Sequence, residues 1–87
     1  MDIQAVTLTT VGGPVQVETL QLAGPLDGEV LVAMGAAGIC HSDQHAISGH
    51  HDAQIPCVLG HEGAGEVVAI GQNVNRVRVG DRVALNW

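Results

Sequence analysis

Phenylalanine and tyrosine are missing from this 87-residue chain, and its one tryptophan is the last residue, Trp87. An interior built without rings has to be filled by Val, Leu, Ile and Ala, which suits interlocking β-strands. Basic residues are almost as scarce: three, against nine acidic ones, for a net charge of −6. That balance excludes a nucleic-acid surface, whose affinity rests on Lys and Arg at phosphates. No apolar run approaches the roughly 18 residues that cross a bilayer. The acidic start Met1-Asp2 lacks the basic region of a secretory signal, so a cytoplasmic location is expected, with no membrane partner. The chain has two cysteines, 17 positions apart, and no Cys-x-x-Cys. Without export, reduced thiols are expected rather than a disulfide.

What is present is enough for one small domain, expected over residues 1–87. Forty-six per cent of residues are hydrophobic and 14% charged, too apolar for disorder. Ile3 to Thr10 is β-branched and partly alternating, and predicts a first strand. After the turn signal Gly12-Gly13-Pro14, Val15 to Leu22 alternates, with Val15, Val17 and Thr19 on one face. Glu29 to Ala37 is apolar on both sides, as for a strand buried on two faces, with Gly35 and Gly38 marking a bulge or close approach. Ser42 or Asp43 can cap a single helical turn through Ile47, ending at Ser48-Gly49. Glu62 to Ile70 and Arg82 to Leu85 read as further strands, and Asn73 to Asp81 alternates before a turn. Several short strands, glycine and proline punctuation and almost no helix predict an all-β barrel or sandwich.

Both cysteines and all five histidines fall between Gly38 and Gly71, about a third of the chain. Metal-ligand residue types crowd there more than a plain core requires, and Cys40 and His61 are the candidate ligands. Cys40-His41-Ser42-Asp43-x-His45 and Gly60-His61-Glu62-x-x-Gly65, followed by Gly71 and Val74, occur in order, with Val79-Gly80-Asp81-Arg82-Val83 beyond them. Together these motifs resemble the zinc-dependent medium-chain alcohol dehydrogenase family over essentially the whole chain.

The resemblance implies a GroES-like, partly open β-barrel with one short helical turn after the Cys40 loop. It implies Zn²⁺ held by the thiolate of Cys40 and the imidazole of His61, a soft and a borderline ligand. It implies oxidation of a small-molecule alcohol to an aldehyde or ketone, with hydride transfer to NAD or NADP. Ser42 and His45 sit where the family places its proton relay, His45 reaching solvent through the cofactor ribose. His41 takes the place of a basic residue against the cofactor pyrophosphate. Asp43 is expected to accept from a ligating imidazole, and Glu62 to tune or briefly ligate the metal. Each has a plainer reading: a buried thiol, a core histidine, a helix cap, a surface histidine. His50 and His51 read as a solvated loop, and the glycines around Glu62 as backbone geometry. No helix follows that segment, so it is not a dinucleotide fingerprint.

The family's third zinc ligand, a distant cysteine, is not matched by Cys57, which falls at a position the family fills with apolar residues. A nucleotide-binding Rossmann domain and a four-cysteine structural zinc lobe are likewise unmatched. The resemblance therefore covers the N-terminal part of a catalytic domain, expected to be inactive alone and to hold zinc weakly. The other class open to it is a non-enzymatic GroES-like module that binds metal weakly or self-associates through an exposed strand edge. The family's zinc-free quinone-reductase branch is disfavoured by Cys40 and His61 together.

Overall fold

Six strands and one helix make up the computed structural model, which describes residues 1–50 and 54–86. The strands form two three-stranded antiparallel sheets. They belong to two compact units, interleaved along the chain.

One unit contains residues 2–22 and 39–61. Its strands are β1 (Asp2–Leu8), β2 (Gln16–Gln21) and β4 (Cys57–Val58), in the order β2-β1-β4, and its helix is α1 (His41–Ser48). β1 and β2 form a hairpin in register from Asp2↔Gln21 to Thr7↔Gln16. The alternation in β1 sends Ile3, Ala5 and Thr7 to one face, and Leu8, at the end of the strand, is fully buried. The Thr7 hydroxyl is buried with them, and donates to the Glu18 carboxylate at 2.6 Å. β2 turns its apolar face outward: Val17 is 68% exposed, while Glu18 and Leu20 are half-buried. The Thr7 bond gives Glu18 a partner on that inner side.

α1 is longer than the single turn expected, at eight residues. Its N-cap is Cys40, outside the usual capping residues, and Asp43 takes the capping-box position three residues on. The Asp43 carboxylate accepts from the Cys40 N–H at 3.1 Å, so one acidic side chain satisfies an otherwise orphaned donor. The helix stops at Gly49, whose φ of 86° is the left-handed conformation that glycine adopts without penalty. Ala46 is its buried residue, and the Ile47 carbonyl accepts from Gly12 N–H at 2.6 Å.

The other unit contains Met1, residues 23–38 and residues 62–87. Its strands are β3 (Val30–Ala37), β5 (Gly63–Ile70) and β6 (Arg82–Leu85), in the order β3-β5-β6. Val67, at the middle of the central strand, is fully buried. β3 is half-buried only from Val30 to Val32; from Ala33 to Ala37 it is exposed, so it is not covered on both faces as its composition suggests. The register shifts between Met34 and Ala36, placing a bulge at Gly35. Gly71 passes against the Leu26 carbonyl so closely that a Cβ has no room there. Residues 73–81, despite their alternation, form a loop, entered through Asn73 at φ 61° and tied by its amide to Asp27 at 2.8 Å.

Candidate metal centre

α1 and the segment after β4 bring the motif residues of the first-described unit together. Cys40 opens α1. His61 arrives from the other direction: β4 pairs with β1, Leu59 N–H donates to the Val6 carbonyl at 3.0 Å, and Gly60 turns the chain at φ 108°. The Cys40 Sγ and a ring nitrogen of His61 lie within 4.8 Å of each other. Neither cysteine is in a disulfide, and both are half-buried.

The two nitrogens of His61 meet different partners. Nδ1 lies 3.4 Å from the Asp43 carboxylate, both side chains being 13% exposed. Nε2 lies 3.4 Å from the Ser42 hydroxyl. A carboxylate at Nδ1 favours the proton there, which makes Nε2 the acceptor nitrogen of the ring. Asp43 therefore touches both candidate ligand residues, through the Cys40 backbone with one oxygen and the His61 ring with the other. The sulfur stands at the N-terminal end of α1, where the helix dipole favours negative charge.

A tetrahedral zinc with Zn–S of about 2.3 Å and Zn–N of about 2.0 Å separates its donors by roughly 3.6 Å. A spread within 4.8 Å is thus within about an ångström of that distance, and thiolate plus imidazole is a suitable donor set for zinc. The residues present fit part of such a site. Cys57 lies on β4 opposite Leu8, outside that pair.

The remaining motif residues are placed as follows. His45 is one turn beyond Ser42 on α1 and is exposed, as is His41. Their rings stack with centroids 4.6 Å apart and planes at 45°. His50 follows the helix with its ring 5.7 Å from that of His45, and its Nδ1 is 2.7 Å from the Ser48 hydroxyl. His50 falls in a stretch that reads as a solvated loop, and the spacing His-x₃-His-x₄-His is the signal in the sequence for this row. His51 lies outside the described residues. Glu62 begins the other unit and is exposed. Its side chain leans on Gly38, where a Cβ would stand 2.7 Å from its Oε2.

This is a GroES-like fold, two open sheets with a short helix beside a Cys/His pair. Residues 26–87 match the alcohol dehydrogenase GroES-like domain, and the chain belongs to that family. It is 42% identical over 87 residues to an NDMA-dependent alcohol dehydrogenase of Amycolatopsis methanolica, covering all of this chain and 24% of that protein. Benzyl alcohol dehydrogenase from Acinetobacter calcoaceticus superposes with a TM-score of 0.91 at 38% identity, over 95% of this chain and 23% of that one. Quinone oxidoreductase of Escherichia coli, complexed with NADPH, gives a TM-score of 0.89 at 32% identity, over 94% and 26%. The chain thus spans about a quarter of the length of the relatives it matches. Because alcohol and quinone enzymes share the fold, fold alone does not select between them.

Proposed function

We propose that this chain supplies the zinc-holding, proton-handling part of a nicotinamide-dependent alcohol dehydrogenase acting on small primary or secondary alcohols. The observation that carries the reading is the Cys40/His61 donor pair, with Asp43 bonded to the far side of the His61 ring. Cys40 Sγ and His61 Nε2 are the atoms proposed to hold Zn²⁺. When bound, the ion acts as a Lewis acid that eases loss of the alcohol proton near neutral pH. Ser42, whose hydroxyl borders His61 Nε2, takes that proton, and His45, exposed one turn away, hands it to solvent. His41 offers its imidazole to the cofactor pyrophosphate, and Glu62, next in the chain to His61, adjusts or briefly joins the metal shell.

Nothing in these 87 residues reads as a nucleotide-binding strand–GxGxxG–helix unit. The role proposed for these residues is that of an N-terminal GroES-like catalytic part, inactive by itself and cytoplasmic. Among the described residues no helix is long and apolar enough to cross a membrane. Zinc content per chain after dialysis, compared with Cys40→Ala, tests the ligand assignment; equal zinc in both would remove it. Incubation with NAD or NADP, zinc and simple alcohols should give no reduced cofactor, and steady turnover would overturn the inactivity.

A second reading is favoured by the open sheets. Strands β2, β4, β3 and β6 are edges among the described residues, and Val17, Met34 and Val58 on three of them are more than half exposed. Such edges pair with other chains, which supports a self-associating module. Sedimentation across a hundredfold concentration range separates the two: a monomer throughout rejects self-association.

A further inference from the structure

The exposed histidines of α1, His41 and His45, with His50 just past the end of the helix, are separate from the Cys40/His61 pair. His41 and His45 are four residues apart, the spacing that puts two side chains on one helix face. The same i, i+4 spacing of histidines on a helix lets two imidazoles reach one metal ion. Here the two rings already lie 4.6 Å apart, and the ring of His50 is 5.7 Å beyond His45. All three are exposed. His50 has its Nδ1 engaged by Ser48 at 2.7 Å, which leaves Nε2 as its outward donor. Asp2, Glu18 and Asp43 lie in the same unit and contribute to a net negative chain, a field that favours cations.

We propose that His41 and His45, with His50 as an additional donor, form a second, surface site for a divalent transition-metal ion. An all-imidazole donor set selects borderline ions such as Cu²⁺, Ni²⁺ and Zn²⁺ over Mg²⁺ or Ca²⁺, with Cu²⁺ held most tightly. An ion seated there occupies the imidazoles assigned above to cofactor phosphate and proton release, so surface metal opposes those roles.

The test uses Cu²⁺ titrated into the full chain carrying Cys40→Ser and Cys57→Ser, which removes both thiols. Calorimetry should show one equivalent bound, and electron paramagnetic resonance should show coupling to at least two nitrogens. His41→Gln and His45→Gln, which keep the helix, should each lose that equivalent; His61→Ala should keep it. In the same Cys40→Ser, Cys57→Ser chain, sub-stoichiometric Ni²⁺ should broaden the ring resonances of His41 and His45 selectively. Binding retained in both glutamine variants, loss in His61→Ala, or broadening elsewhere on the chain would each overturn the proposal. None of these outcomes depends on whether the chain holds zinc at Cys40 or supports turnover.

Discussion

Asp43 bridges Cys40 and His61: one carboxylate oxygen accepts from the Cys40 backbone at 3.1 Å and the other faces His61 Nδ1 at 3.4 Å. The same side chain caps the helix and orients the imidazole, so its two duties can be separated by substitution. Asp43→Asn keeps much of the capping bond but lowers the basicity it lends to the ring. Zinc affinity should fall about 10–100-fold, measured by competition with a chelator, with little change in thermal stability. Asp43→Ala should in addition cost about 1 kcal/mol of folding stability through the lost cap.

Zinc retention should depend on one cysteine and not the other. Cys40→Ala and His61→Ala are each expected to bring zinc per chain close to background after dialysis. Cys57→Ala, which changes a half-buried residue of β4 away from the pair, should leave it unchanged. Elemental analysis of the three dialysed proteins checks this.

Zinc retention should also be lost on acidification. An imidazole must be neutral and a thiol deprotonated to bind, so binding releases protons and weakens as they become plentiful. Zinc should be held at pH 7.5 and released progressively as the pH is lowered. Equilibrium dialysis at a fixed zinc concentration follows the release; retention that is flat from pH 7.5 to 5 would contradict an imidazole ligand.

Stability should track the small set of buried side chains. Leu8→Ala empties a fully buried position of β1 and is expected to cost about 2–5 kcal/mol. Val17→Ala, at a 68% exposed position of β2, should stay within about 0.5 kcal/mol. Urea denaturation of both, followed by circular dichroism, distinguishes them.

The strands were largely legible because alternation and β-branching leave a direct trace in composition, and β1, β2, β5 and β6 fall within a residue or two of their expected limits. Where reading failed, local pattern gave way to context. The continuous apolar run of β3 looks like a doubly covered strand, yet five of its eight residues are exposed. Val74, Val77 and Val79 alternate with polar residues, but the left-handed Asn73 and its bond to Asp27 fix that stretch as a loop. α1 was read too short because a cysteine is a rare N-cap, and the structure gives the capping-box role to Asp43 instead. At the metal centre the motifs named Cys40 and His61 without giving their separation. The proximity of His41, His45 and His50 follows from α1 extending over eight residues to Gly49, which a single helical turn would not give.

His61 reaches its place along β4, whose sheet partner is β1. The opening eight residues therefore act as a distant splint for the imidazole while contributing no donor atom. A substitution there that loosens the Thr7–Val58 or Leu8–Cys57 pairing should surface as impaired zinc uptake, although no altered atom belongs to the ion's surroundings.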